Sequence, residues 1–273
     1  MVLSYFPTGT SDSTAGAGRN LELTSWADIS AIAKTGEARK YFSIGDTKSF
    51  MVGDYTYHAR IVGFNHDVPD PALNYGSGRK DGLNLAGISF EAVELFPDAA
   101  PFSTTTSTEI QTVCWGEATV SGVDLIESTI HSTTLPAFYK SLPTDLSTVI
   151  TPVYKEYWAG AASSILKCID YLFVPSAVEL GLVTSTSSYL YSEGGVYEFY
   201  NGTPKSRLAK YRVNDNTAFF RTYWTRSQAQ AAVIDGTKEY NRFNTVYSSS
   251  IYLKAYECTT TDSSNYVSFA FCV

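Results

Sequence analysis

Residues Tyr266, Val267, Ser268, Phe269, Ala270, Phe271, Cys272 and Val273 form an uncharged run with the alternation of a half-buried strand. The run reaches the last residue of the sequence, where a chain frays unless something ties it down. This predicts a strand locked into a sheet as a closing element. A fold built this way is complete only once these residues are in place.

A hydrophobic content of 44% over 273 residues is ample for a core, in one large domain or two smaller ones. The formal net charge of -7, with 20 Lys and Arg scattered along the chain, argues against a nucleic-acid partner. Membrane insertion is not expected either. No apolar run approaches the roughly 20 residues needed to span a bilayer, and the best stretch, from Tyr171 to Val183, is broken by Pro175 and Glu179. The sequence beginning Met1, Val2, Leu3 lacks the basic start and apolar core of a signal peptide. Cys114, Cys168, Cys258 and Cys272 form no CxxC pair and no zinc-ligand spacing, so buried free thiols are expected, with a Cys258–Cys272 disulfide as the alternative.

Residues 1–23 are rich in Gly, Ser and Thr and read as an N-terminal arm or linker, with the domain proper running over 24–273. Ser25 is placed to cap a short helix with Asp28 completing a capping box. Trp26, Ile29 and Ala33 share one face, and Gly36 ends it. Ser49–Val52 and Tyr55–Phe64 flank Gly53–Asp54, which predicts a hairpin with a type II′ turn. From Asn65 to Leu85 a long polar loop is expected, of the length that is usually functional or mobile. Helical spacing between Ser121 and Ile150, interrupted by Pro136 and Pro143, predicts two or three short helices. Strands follow at Val153–Trp158, Tyr171–Val174, Tyr197–Tyr200, Phe219–Trp224, a hairpin turning at Asp235–Gly236, Ile251–Glu257 and Tyr266–Cys272. Helices early and antiparallel strands late, without βαβ alternation, indicate an α+β fold.

Hydrolytic chemistry needs a nucleophile beside a base, and only His58, His66 and His131 are available. His66, between Asn65 and Asp67 at a strand end, is the suggestive one; a loop anchor is the competing reading, and no GxSxG elbow accompanies it. Gly76 to Lys80 lacks Walker spacing. Asp67, Asp70, Asn74 and Asp81 offer oxygens for calcium without EF-hand spacing, and no metal or cofactor is expected. The chain holds 20 Tyr, many set among Ser, Asn, Gly and Thr, a mixture that favours contact surfaces. Tyr189, Tyr191, Tyr197, Tyr200, Tyr240 and Tyr247 are the candidate receptor-binding residues. The competing reading is that most of them simply fill alternating strand positions.

Several segments taken together resemble a known family. TSWADISAI (Thr24–Ile32), YFSIGDTK (Tyr41–Lys48), IVGFNHD (Ile61–Asp67), GISF (Gly87–Phe90), LPTDLSTVITPV (Leu142–Val153), YLFVPSAVEL (Tyr171–Leu180), YWTRS (Tyr223–Ser227) and FAFCV (Phe269–Val273) occur in this order. They are similar to the DUF6273 domain of Firmicutes and their phages, whose pattern has a Trp-x-Arg-Ser core and a closing Phe-Cys strand. The resemblance implies a C-type lectin-like fold, with Trp26, Trp224, Arg226, Phe271 and Cys272 as its structural signature and Arg226 anchoring a loop through its fork of donors. The Glu-Pro-Asn loop of calcium-dependent sugar-binding lectins is missing, and only Asn214 and Asp215 echo their Trp-Asn-Asp strand. Gln228 stands where the family usually has proline, and the cysteine context of the related formylglycine-generating enzymes is not found.

The expected function is therefore a non-enzymatic phage virion protein, tail- or head-associated, that binds a bacterial surface receptor, glycan or protein, through Tyr-rich loops. The alternative is a capsid or tail decoration protein docked on other virion proteins by residues 1–23. Either would place it in the virion, or else on the bacterial cell surface, with a homo-oligomer as an open possibility.

Overall fold

The computed structural model describes residues 18–77, 79, 81–96, 125–158, 165–183, 189–202, 208–213, 221–228, 233–235, 238–240, 242–247, 252–257 and 265–273, with the backbone alone at 127, 189, 228, 233–235, 238–240, 242–245, 247 and 252–257. The chain opens into helix α1 (Trp26–Lys34) because Ser25, still extended at φ −63° and ψ 151°, accepts the Asp28 N–H at 3.1 Å. Its hydroxyl in turn donates to the Asp28 carboxylate at 2.7 Å. Trp26, Ile29 and Ala33 form the buried face, and Gly36 takes the left-handed φ of +76° just beyond the end.

Strands β1 (Thr47–Val52) and β2 (Tyr55–Phe64) pair with Val52 opposite Tyr55. Gly53 sits at φ +59° and Asp54 has no positive φ, which is a type II′ turn; type I′ would need both. Next come β3 (Ile88–Ala92) and the short β4 (Glu94–Leu95), then α2 (Leu135–Ser141) and α3 (Thr144–Ser147). A π-helical turn at Ile130–Thr134 leads into α2. Pro136 lies in the first turn of α2 and Pro143 caps α3, positions where a missing N–H costs nothing. β5 (Val153–Trp158) pairs antiparallel with β6 (Ile165–Asp170) along its whole length.

The later chain supplies β7 (Tyr211–Arg212), β8 (Thr222–Gln228), β9 (Val233–Asp235), β10 (Lys238–Tyr240), β11 (Arg242–Tyr247), β12 (Tyr252–Glu257), β13 (Asn265–Tyr266) and β14 (Ala270–Cys272). Two four-stranded sheets result, ordered β1-β2-β3-β14 and β12-β11-β8-β13. Pairing is antiparallel except for β8 with β13 and β4 with β7. The molecule is α+β, with few short helices.

Residues 265–273 stitch the two sheets together. β13 lies beside β8 in one, and four residues later β14 lies beside β3 in the other. The half-buried strand expected here is corrected: every residue from Val267 to Val273 is buried. β14 is covered on both edges, by β3 on one side and by bridges to Thr151 and Phe173 on the other. Phe271 stacks on Phe90 at 5.3 Å and meets Trp26 edge-on at 6.1 Å, while Phe269 reaches Phe138 at 4.8 Å and Tyr57 at 5.9 Å. Trp224 joins the same core.

Other expectations are also corrected. Tyr171–Val174 is not a strand: Tyr171 is exposed, Leu172, Phe173 and Val174 are buried, Phe173 alone bridges Ala270, and the strand is β6 just before them. Tyr197–Tyr200 is not a strand: Glu198–Tyr200 is a 3₁₀ turn that Tyr197 caps. Residues 18–23 do not belong to a free arm, because Leu21 is 3% exposed within the core and Glu22 binds the Ser49 N–H at 2.7 Å. Residues 1–17 lie outside the described residues. Cys168 and Cys272 are buried free thiols, so Cys272 forms no disulfide; Cys114 and Cys258 lie outside the described residues.

Candidate functional site

The polar feature that dominates the interior is a chain of four buried charges where the two sheets and the β5–β6 hairpin meet. β2 runs into Asp67, β5 carries Lys155 inward between Val153 and Tyr157, the turn after Pro175 supplies Glu179, and β8 supplies Arg226. Lys155 Nζ donates to Asp67 at 2.5 Å, Glu179 at 2.9 Å and the Tyr197 hydroxyl at 3.0 Å, which uses all three of its hydrogens. Its ammonium also sits 3.6 Å from the centre of the Phe173 ring.

Arg226 spends its full fork. Nε donates to the Glu156 carbonyl at 3.0 Å, Nη1 to the Val174 carbonyl at 3.1 Å and Glu179 Oε2 at 2.5 Å, and Nη2 to Glu179 Oε1 at 2.8 Å and the Glu193 carbonyl at 2.6 Å. One side chain thereby fastens β5, the 174–179 segment and the turn at 193 to β8. The four charges sum to zero, the condition under which such burial is sustainable. Burial alone would raise both carboxyls, yet Lys155 and His66 hold Asp67 well below its ordinary value, and Arg226 and Lys155 hold Glu179 below its own.

A second cluster repeats the arrangement 91 residues into the chain. Glu91 on β3 receives Lys210 at 2.9 Å, the Tyr200 hydroxyl at 2.6 Å and Arg60, so that despite its burial Lys210 and Arg60 bring its carboxyl down to about 2. Glu193 is the exception. Burial pushes its carboxyl up to about 7, even though it accepts the Trp158 N–H at 2.9 Å and bonds Ser227.

The structure separates the candidate tyrosines. Tyr191 is 44% exposed. Tyr197 and Tyr200, at 1% and 6%, are corrected: their hydroxyls serve Asp67 and Glu91 inside the protein, so neither offers a contact surface. The backbone places Tyr189 in a 3₁₀ turn and Tyr240 and Tyr247 at the ends of β10 and β11, while their side chains lie outside the described residues. The signature residues Trp26, Trp224, Arg226, Phe271 and Cys272 are all buried.

His58 and His66 are occupied structurally. His58 Nδ1 lies 2.7 Å from Glu94, and His66 packs on Tyr197 at 4.3 Å with Nδ1 3.5 Å from Asp67. Burial opposes protonation of His66, but Asp67 prevails and its pKa lies above the ordinary value. The calcium set does not converge: Asp67 faces Lys155, Asp70 accepts the Ala72 N–H at 2.9 Å, and Asp81 is paired with Arg79. Arg79 organises the 65–85 loop from within, reaching Asn65 and Asp81 at 2.9 Å and the Leu85 carbonyl. One group with metal-ligand chemistry does converge among the described residues, namely His131, Cys168 and Asp170.

Lys155 was legible in principle, since a lysine in the inward register of an alternating strand has to find a buried partner. Glu179 and Glu193 carry no comparable signal. No protein-family model, no curated protein and no solved structure matches the chain.

Proposed function

We propose that the chain is a binding module without chemistry of its own, a lectin-like domain of a phage virion protein that recognises a bacterial surface receptor. The observation that carries this reading is the way the frame holds the excursions between its fixed points. Arg226 and residues 265–273 pin both ends of the 227–265 stretch, and Arg226 with Glu179 pins the base of the 180–192 stretch. Recognition by loops requires such a rigid base. Asp67 and Glu179, whose carboxyls are held below their ordinary values, are sealed from solvent and paired with Lys155 and Arg226, which suits scaffold duty rather than turnover.

The contact surface in this reading contains Tyr191, with Tyr189, Tyr240 and Tyr247 from the same two stretches. Binding of the labelled chain to a panel of Firmicutes cells, read by flow cytometry, tests it. A joint Tyr191→Ala, Tyr240→Ala variant is expected to lose at least ~10-fold in affinity, the range of an aromatic anchor, with an unchanged melting temperature. Tyr200→Phe should do the reverse, lowering the melting temperature while leaving binding intact. Absence of binding to every strain, or equal binding by the Tyr191/Tyr240 variant, overturns the reading. Capture by virions in place of cells points to the decoration role.

A further inference from the structure

We propose that His131, Cys168 and Asp170 form a binding site for a divalent transition-metal ion of the zinc class. The three residues come from two elements that the fold holds face to face. Cys168 and Asp170 are two apart on β6, hence on one face of the strand, and both point inward while Ile169 between them is exposed. His131 enters from the π-helical turn Ile130–Thr134, the type of irregularity that often marks a functional position. Its Nε2 lies 2.7 Å from Asp170 Oδ1, and Cys168 Sγ lies 3.1 Å from Asp170 Oδ2. All three ligand atoms fall within 4.8 Å of one another.

The orientation of the imidazole is supported from behind. His131 Nδ1 faces the Ile126 carbonyl at 3.3 Å and Nε2 faces the Asp170 carboxylate at 2.7 Å; both oxygens accept, so in the metal-free chain both ring nitrogens donate, and an ion would take the place of the Nε2 hydrogen while Nδ1–H stays on the carbonyl. A histidine that binds metal through Nε2 is commonly held by this kind of Nδ1–H···O=C contact. Zinc bonds of about 2.0–2.3 Å in a tetrahedron set neighbouring ligand atoms about 3.3–3.6 Å apart. The present 2.7 and 3.1 Å contacts, which run to the two different oxygens of Asp170, would widen by about half an ångström while the thiol and the ring, within 4.8 Å of each other, close on the ion, adjustments within the reach of side-chain rotation.

The ligand set also selects the ion. One thiolate, one imidazole and one carboxylate suit zinc, cobalt or nickel, and are a poor match for calcium or magnesium, which take oxygen shells. The carboxylate lies between the thiol and the ring, so the trio does not have the nucleophile–base contact of a cysteine hydrolase. The His131 side chain is 19% exposed while Cys168 and Asp170 are buried, so an ion enters from the histidine side and keeps a fourth position toward solvent.

The test is titration of the metal-free full chain with Zn²⁺ by calorimetry and with Co²⁺ by absorption. One ion per chain is expected, with micromolar or tighter affinity and a near-ultraviolet thiolate-to-cobalt band. Cys168→Ser should abolish the band and weaken zinc at least tenfold, and Asp170→Asn and His131→Gln should weaken it similarly. Cys258→Ser should leave both readouts unchanged, and Ca²⁺ and Mg²⁺ should not raise the melting temperature. Absence of saturable zinc binding by the unaltered chain, or a full band in Cys168→Ser, overturns the assignment. If Cys168→Ser does not fold, unchanged zinc affinity in His131→Gln overturns it equally. The outcome is independent of receptor binding.

Discussion

Glu193 shows how much a single buried carboxyl can couple this protein to pH. Burial lifts it from an ordinary 4.5 to about 7, so between those values the folded chain keeps a proton that the unfolded chain has released. The stability this contributes is fully present below about pH 4.5 and is lost as pH rises through 7; the shift corresponds to about 3 kcal/mol. Glu193→Gln removes the titration but keeps an oxygen for the Trp158 N–H and gains a donor toward Ser227. Denaturant unfolding should therefore show the variant gaining about 2–3 kcal/mol on the wild type between pH 5 and pH 8, and parallel curves for the two proteins would sink the assignment. Gly87 is constrained by space instead. A Cβ there would stand 2.1 Å from the Ala33 carbonyl oxygen, on the turn that ends α1. Neither backbone can yield without breaking its own ladder, so Gly87→Ala is expected to cost about 3 kcal/mol, measured as a lower denaturation midpoint with an unchanged slope. Neither residue advertises itself in the sequence: Glu193 sits in a Ser-Glu-Gly-Gly run that reads as a polar turn.

At the scale of elements, local patterns were readable and long-range partners were not. The β1–β2 hairpin, the capped α1, the short helices and β5 follow from turn chemistry, capping and alternation, all of which act over a few residues. Tyr197–Tyr200 reads as a strand in isolation, yet Glu198–Tyr200 is a 3₁₀ turn, and the hydroxyls of Tyr197 and Tyr200 bind Asp67 and Glu91, 130 and 109 residues earlier, partners that local pattern does not reveal. β6 was hidden because Lys167, Cys168 and Asp170 break the apolar pattern, although two of those three face inward. β8 likewise owes its position to Arg226; the family resemblance implies a loop-anchoring role for it, but not that its partner is Glu179, 47 residues earlier. Arg226→Met leaves Glu179 sharing Lys155 with Asp67, an uncompensated buried charge, and should cost about 3–5 kcal/mol. Adding Glu179→Gln restores the balance of one ammonium against one carboxylate, so part of that loss should return in the double variant. Purely additive losses in a double-mutant cycle would mean that the two side chains act independently.

For the whole molecule, the decisive segment is 265–273, because among the described residues it is the one stretch that is laddered to both four-stranded sheets. Its uncharged sequence announced a tied strand, but alternation alone could not show that both faces and both edges would be covered. Those covers come from β3, Thr151 and Phe173, supplied by regions far apart in the chain. A chain ended after Phe269 loses the Phe271 contacts with Phe90 and Trp26 and the Val273 bonds to Ile88, and leaves the β3 edge that β14 covered without its partner strand. Truncating one buried Phe to Ala already costs about 3–5 kcal/mol, and a domain of ordinary stability has only about 5–15 kcal/mol in total. The shortened chain is therefore expected to show no cooperative melting transition and no near-ultraviolet circular dichroism. Phe271→Leu, which keeps the ladder and most of the volume, should retain a single transition with stability lowered by about 1.5 kcal/mol or less. A sharp transition in the shortened chain would show that the sheets hold together without β14, and that the stitch is a local reinforcement rather than the element on which the fold depends.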